Sequence, residues 1–325
     1  MNKTVFAIFG TVLWGVFNTA SAELTPFYEE SADSWSCGYK NELGEVIVPT
    51  NRYEDCGDFS DGLAYVGKMA QPLVENDFDG YKYLQGFIDQ TGELVIPVEH
   101  EAVEHVLGVD YKSFSEGLVA VYRNGKYGYM DKMRELVIPY RYQSADDFND
   151  GLAIVSQNDK YGAIDKSGRT VVPFKFKYLS SYSDDLALYT EDNHWNDSFR
   201  YGFVDTIGDV AIKAQWDDAC PFSNGLAAVR VGDYDTGKWG IINKSGNYVV
   251  KPTYHAPQIQ TWSEYELDPC YYQDGTINMY KYTDRSRPHE SSVTRYILDT
   301  KGNVINTRFF QNWDKVIEDF ESNYN

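Results

Sequence analysis

Residues 148–173 read FNDGLAIVSQNDKYGAIDKSGRTVVP, and this stretch decides the fold of the chain. Short apolar runs at 152–155 and 161–165 are bounded by Gly and by turn-forming Asn and Asp, which predicts two strands. The segment DKSG at 165–168 predicts a tight turn, because the Asp side chain can form a hydrogen bond with the backbone two residues on and Gly tolerates a positive φ. A β-branched run ending at Pro173 predicts a third strand. One such three-stranded meander cannot bury both of its faces, so it needs neighbours.

The neighbours are copies of the same unit. The marker Gly-x-x-(Asp/Asn)-x-x-Gly begins at Gly38, Gly86, Gly162, Gly202 and Gly240, and degenerate copies begin at Gly128 and Tyr296. Successive markers lie between 34 residues (Gly128 to Gly162) and 56 residues (Gly240 to Tyr296) apart, which places insertions on loops. These seven units predict an all-β tandem array of about seven three-stranded antiparallel repeats.

The aromatic-Gly pair of the second strand resembles the signature of the WG-repeat, or KWG-repeat, family of bacterial proteins. Lys238-Trp239-Gly240 keeps the signature in full, and Tyr replaces Trp at Tyr127, Tyr161 and Tyr201. The resemblance covers roughly residues 35–305. It implies tandem β-repeats, often exported, and it implies no catalytic residues.

Two architectures fit seven such units. Three strands per unit, variable spacing and a C-terminal helix favour an open twisted solenoid. The alternative is a closed seven-bladed β-propeller, whose blades normally have four strands. In either case the Asp-x-x-Gly turn needs a positive φ at its Gly. We expect this at Gly92, Gly168, Gly208 and Gly246, and we expect Arg134 at the equivalent position to be strained or to sit in a differently shaped turn.

The repeat domain is predicted to span residues 23–305 and a closing helix residues 306–325. Phe309, Trp313, Val316 and Phe320 follow helical spacing. Such a helix would cap the last unpaired edge of an open array. The alternative is that it binds a partner.

Residues 1–22 have the features of a signal peptide. A basic start at Lys3 precedes an apolar run, and Ala20-Ser21-Ala22 forms a small-x-small cleavage site. A membrane anchor is the alternative, but the apolar run is short and interrupted by glycine. The sequence therefore predicts a periplasmic or secreted protein with no membrane insertion after signal cleavage.

The four cysteines agree with export, since an even number in an exported chain favours disulfides. Three pairings are possible. Short loops cost less entropy to close, which favours Cys37–Cys56 and Cys220–Cys270.

The charge balance excludes nucleic acid as a partner. Lys and Arg number 29 against 49 Asp and Glu, a net charge of −20. Phosphate contacts require basic side chains, so a chain this acidic repels nucleic acid. The acidity could attract a basic partner, or it could serve solubility alone.

The signature aromatics are the candidate ligand-binding residues. Tyr127, Tyr161, Tyr201 and Trp239 hold equivalent positions and could form a ladder for sugar rings or for a partner chain. The 27 Tyr and 7 Trp of the chain fit sugar or protein recognition. The alternative is that these four residues pack on neighbouring repeats as part of the core.

Catalytic and metal-binding patterns are weak. His100 and His105 are five residues apart, which takes them off the common helical face of a zinc-protease motif. Carboxylates at 77–79 and 233–235 could offer oxygens to Ca²⁺ but complete no known calcium loop. We therefore predict no metal and no cofactor, and a non-catalytic binding or scaffold protein with a protein or carbohydrate partner. The alternative is a hydrolase with a carboxylate pair in the central channel of a propeller.

Overall fold

The computed structural model describes residues 24–31, 34–70, 82–105, 108–192, 199–233, 236–255, 270, 272–273, 275–283 and 290–324. The predicted signal peptide, 1–22, and the acidic segment 77–79 lie outside these residues. The chain divides into two compact units, residues 1–99 and 100–325.

The first unit contains two antiparallel sheets, ordered β1-β2-β3 and β4-β5-β6-β7. Its strands are β1 Thr25–Ser31, β2 Ser34–Lys40, β3 Val46–Tyr53, β4 Asp55–Cys56, β5 Leu63–Ala70, β6 Lys82–Asp89 and β7 Leu94–His105, the last of which ends in the second unit. 

The second unit repeats the same meander five times. The strands are β8 Gly108–Asp110, β9 Leu118–Arg123, β10 Lys126–Asp131, β11 Leu136–Tyr142, β12 Ser144–Ala145, β13 Leu152–Gln157, β14 Lys160–Asp165, β15 Thr170–Phe176, β16 Leu186–Asp192, β17 Phe199–Asp205, β18 Val210–Trp216, β19 Asp218–Ala219, β20 Leu226–Val231, β21 Lys238–Asn243, β22 Tyr248–Tyr254, β23 Tyr272–Gln273, β24 Thr276–Tyr282, β25 Val293–Asp299 and β26 Val304–Phe310. The predicted all-β array of seven three-stranded repeats is confirmed.

Several repeats also have a fourth strand that the sequence did not reveal. The two-residue strands β4, β12, β19 and β23 each pair with the first strand of the meander that follows. In the repeat that begins with β16, this strand is reduced to a single bridge between Leu179 and Tyr189. Four-stranded sheets weaken one reason for preferring an open solenoid, and the choice between open array and closed propeller stays a prediction.

The turn between the second and third strands is built by its first residue. One carboxylate oxygen of Asp165, Oδ1, accepts hydrogen bonds from the backbone N–H groups of Ser167 and Arg169, both at 3.0 Å. Gly168 has φ 79°, as the predicted turn requires. Gly92, Gly208 and Gly246 also have positive φ, which confirms the prediction, and Arg134 takes the same conformation at 68°.

The glycine of the aromatic-Gly pair is needed for close approach. Gly162 lies where the register between β14 and β15 shifts. A Cβ at this position would lie 2.6 Å from the carbonyl oxygen of Val172, closer than real Cβ atoms approach. Gly128 and Gly240 face the carbonyls of the equivalent third-strand residues at 2.5 and 2.6 Å. This packing explains why a glycine follows the aromatic residue.

The core lies between successive repeats, as predicted. One cluster joins Val172 and Phe176 of β15 to Ala187 and Tyr189 of β16 and Val204 of β17. These two sheets therefore bury their faces against each other, because a single meander has no interior of its own.

The C-terminal helix is shorter than predicted. It spans Trp313–Tyr324, while residues 306–310 belong to β26. Phe309 is 67% exposed on that strand, so its placement on the buried face of a helix was wrong. Trp313 and Val316 are buried and pack with Phe310 on the last sheet. The role of the helix as a cap over an unpaired edge stays a prediction.

Both predicted disulfides are present. Cys37 bonds Cys56 across a Cα–Cα distance of 6.0 Å, and Cys220 bonds Cys270 across 5.0 Å. In the described part of the chain, no helix is long and apolar enough to cross a membrane.

Candidate functional site

The four signature aromatics occupy equivalent positions but differ in exposure. Tyr127 and Trp239 are 6% and 5% exposed, whereas Tyr161 and Tyr201 are half-buried. Tyr127 and Trp239 therefore match the core-packing alternative and offer no open ring face. Tyr161 and Tyr201 remain available as candidates, and their role in ligand binding stays a prediction.

The buried and half-buried aromatics also differ in the residue opposite them on the first strand. Tyr122 lies opposite Tyr127, with ring centroids 4.9 Å apart. Arg230 lies opposite Trp239, with its guanidinium carbon 6.0 Å from the ring centroid. These large side chains cover the aromatic rings.

In the two intervening repeats the opposite residue is small. Ser156 lies opposite Tyr161 and Thr190 lies opposite Tyr201. The Ser156 hydroxyl is hydrogen-bonded to the Ser144 hydroxyl at 2.6 Å. The sequence contains this signal, but only the strand register shows which residues are opposite.

A groove of about 770 Å³ lies beside Tyr201, and we call it the Tyr201 groove. Its lining comes from three consecutive repeats: Asp159, Lys160, Lys177, Tyr178, Leu188, Thr190, Phe199, Tyr201, Asp218, Ala219 and Pro221. Leu188, Thr190 and Ala219 are buried, while Tyr178 and Phe199 are 45% and 48% exposed. Its volume is that of a small-molecule site, with apolar walls and a few polar groups.

The polar groups of the groove are balanced in charge. Lys160 and Lys177 contribute two cations, and Asp159 and Asp218 contribute two anions. Asp218 is held by Arg230, with an N–O distance of 3.2 Å. The groove is thus locally neutral within a strongly acidic chain.

The tyrosine hydroxyls of the groove are donors at neutral pH. Burial raises the pKa of Tyr201, and the nearby Asp218 carboxylate adds to the effect. Burial and then the Asp146 carboxylate raise the pKa of Tyr178. Both groups therefore stay protonated and can donate to a hydroxyl or carbonyl of a ligand.

A second cluster contains two neighbouring carboxyl groups. Asp146 is half-buried and Asp147 is exposed, but atoms packed nearby partly desolvate both and raise the pKa of each, while the nearby Lys112 opposes the shift. The Ser181 hydroxyl donates to Asp146 at 3.3 Å, and Lys112 pairs with Asp110 at 2.8 Å. A carboxyl group with a raised pKa can act as a general acid. Asp146 and Asp147 are therefore the candidate catalytic residues if the protein is a hydrolase.

Metal-binding candidates gain no support. Among the described residues, no three His, Cys, Asp or Glu side chains are grouped to hold a metal ion. Asp233 instead closes its own turn, accepting hydrogen bonds from the backbone and hydroxyl of Thr236.

These features define a class of protein: tandem antiparallel β-repeats whose cores form between units and whose second strands carry an aromatic-Gly pair. A family model for the WG-containing repeat matches residues 38–68, 127–161, 161–195, 201–234 and 239–260. The chain belongs to this WG-repeat family. The comparison with curated proteins gave no match.

Solved structures show similarity at low identity. A crystal structure of the eukaryotic initiation factor is 12% identical with a TM-score of 0.52, covering 87% of this chain and 73% of that chain. Hsv2 of Kluyveromyces lactis is 8% identical with a TM-score of 0.39, covering 87% and 93%. Prolyl oligopeptidase B of Galerina marginata is 7% identical with a TM-score of 0.37, covering 86% and 46%. The first similarity concerns the fold alone.

Proposed function

We propose that the protein is an exported, non-catalytic binding protein that holds a protein or carbohydrate partner in the Tyr201 groove. The observation that carries the proposal is a groove of about 770 Å³ with the partly exposed rings of Tyr178 and Phe199 at its wall. Exposed aromatic rings beside buried apolar residues are the usual contact surface of a binding site.

The proposed periplasmic or secreted localisation is supported by separate observations. Two disulfides are consistent with an oxidising, non-cytoplasmic environment, and the signal-like residues 1–22 give a route to it. In this proposal the mature protein is periplasmic or secreted and stays out of the membrane. A net charge of −20 argues against nucleic acid as the partner.

The test is binding to glycan and peptide arrays with the full mature chain, its disulfides formed. We expect a Tyr178→Ala/Phe199→Ala variant to lose at least tenfold in affinity for any ligand that the wild type captures. Phe309→Ala is the matched control, because it removes an exposed Phe that does not line the groove. A captured ligand that binds the groove variant as tightly as the wild type would overturn the proposal.

A second candidate function is hydrolysis at Asp146 and Asp147, favoured by the raised pKa of both groups. The test is turnover of chromogenic glycosides and peptides. Loss of turnover in Asp146→Asn and Asp147→Asn, with activity kept in the exposed control Asp209→Asn, would favour the enzyme. Absence of turnover by the wild type across the panel would favour the binding protein.

A further inference from the structure

The repeats provide an internal comparison around one position. Where the residue opposite the signature aromatic is Tyr122 or Arg230, the aromatic is buried. Where it is Ser156 or Thr190, the aromatic is half-buried. The size of this side chain therefore separates covered rings from uncovered ones.

The two uncovered rings are not equal. Tyr161 faces Tyr178 of the following segment, with ring centroids 6.3 Å apart. Tyr201 instead lines the groove, together with Thr190 and the exposed ring of Phe199. Thr190 is 7% exposed and lies on the groove wall, so a larger residue there would occupy the groove itself.

The charge of the groove indicates the kind of ligand. An anion would meet Asp159 and Asp218, and it would approach a chain with net charge −20. A cation would meet Lys160 and Lys177. The two lysines and two aspartates instead offer donors and acceptors together, which suits a neutral ligand with many hydroxyl groups.

The strands beside the groove do not favour an added peptide strand. β17 is paired on both sides, with β16 and with β18, so its backbone groups are engaged in the sheet. β17 contributes side chains to the groove, including the aromatic side chains of Tyr201 and Phe199. Flat apolar faces beside hydrogen-bonding groups match a sugar ring, which has apolar C–H faces and polar edges.

We propose that the Tyr201 groove binds a neutral oligosaccharide, and that Thr190 determines this by leaving the Tyr201 ring uncovered. The inference rests on the proposed function and narrows it to one ligand class and one determinant. The neighbouring repeats supply the substitutions that test it, since Tyr122 is the covering residue and Ser156 the open one.

The experiment is isothermal titration of the full chain, with disulfides formed, with neutral tetrasaccharides of β1,4-glucose, α1,4-glucose, β1,3-glucose and β1,4-N-acetylglucosamine. We expect at least one to bind. Thr190→Tyr should weaken binding at least tenfold, and Thr190→Ser should stay within twofold of wild type. Phe199→Ala removes an exposed ring without disturbing the core, so it keeps the test valid if Thr190→Tyr folds poorly; it too should weaken binding at least tenfold.

The outcomes separate the two proposals. Equal affinities of Thr190→Tyr, Thr190→Ser and wild type, with all three folded, would overturn the role of Thr190. If no neutral tetrasaccharide binds, or if charged oligosaccharides bind more tightly, the ligand class is wrong. A peptide that binds in a Phe199-dependent way would overturn the ligand class and leave the proposed function standing. If every ligand that binds does so equally well to wild type and to the groove variants, both the proposed function and the oligosaccharide proposal are wrong.

Discussion

Replacing the glycine of the aromatic-Gly pair should cost more stability than replacing a turn glycine with open space around it. An alanine in place of Gly162 would put its Cβ 2.6 Å from the carbonyl oxygen of Val172, which is a backbone atom and cannot rotate away. Gly151 has φ 79° but has no atom within 4 Å of an added Cβ. The pair Gly162→Ala and Gly151→Ala therefore separates close packing from backbone conformation.

The magnitudes follow from these two environments. For Gly162→Ala, β14 and β15 must move apart at their register shift, and overpacking of this kind costs about 1–3 kcal/mol. Weakening of an adjacent ladder hydrogen bond adds about 1 kcal/mol. For Gly151→Ala, the left-handed conformation costs about 1–2 kcal/mol. Reduced entropy of the unfolded chain offsets about 0.4–1 kcal/mol of that cost. The same offset applies to Gly162→Ala, so we expect losses of about 2 kcal/mol for Gly162→Ala and about 1 kcal/mol for Gly151→Ala.

The assay is urea unfolding followed by fluorescence and circular dichroism, with the disulfides intact. The difference in midpoint converts to free energy only if both variants keep the wild-type slope, so the slope is measured for each. Equal losses for the two variants, or a larger loss for Gly151→Ala, would refute the claim that close approach of the third strand requires the glycine.

Three further predictions concern the ends and the turns. Replacing Cys220 and Cys270 with Ser should lower the free energy of unfolding by about 2–4 kcal/mol in urea. Reductant should lower the wild-type midpoint below that of the oxidised variant, because it also breaks Cys37–Cys56. Asp319→Ala should cost about 3 kcal/mol, because Asp319 is 8% exposed at its side chain and pairs with Arg295; an unchanged urea midpoint would contradict this. Turn hydrogen bonds, with Ser167 first, lower the pKa of Asp165 to about 2, so its ionised form stabilises the fold above the unfolded pKa of about 3.8. That contribution should disappear as the pH falls from about 4 to about 2, and Asp165→Asn should flatten this part of the stability curve.

The repeat and its turns could be predicted because their chemistry is local. Strands β13, β14 and β15 follow from short apolar runs between turn residues. The Asp-x-x-Gly turn is fixed by an aspartate and a glycine three residues apart, as at Asp165 and Gly168. Such signals need no knowledge of the rest of the fold.

The short fourth strand and the exact start of the helix could not be predicted. Ser144–Ala145 is two residues long, too short for the alternation that marks a strand. Phe309 and Phe310 are consecutive, so they fit an alternating strand as well as a helical face. The two residues form a strand because β26 pairs with β25 along this segment.

The groove could not be predicted because it depends on which residues face each other. The sequence identified Tyr201 but not Thr190, which lies opposite it only through the β16–β17 register. Tyr178 and Phe199 lie outside the signature, and both line the groove with Tyr201. The equivalence of the four signature aromatics in sequence also hid their difference in exposure.

The most direct measurement is a crystal structure of the full chain with the tightest-binding neutral tetrasaccharide. We expect a sugar ring to lie with its apolar face on Tyr201 or Phe199, at a carbon–carbon distance of about 4 Å. The sugar hydroxyl groups should form hydrogen bonds with the charged residues of the groove. A tetrasaccharide bound elsewhere on the chain, with the Tyr201 groove holding only water, would contradict this expectation.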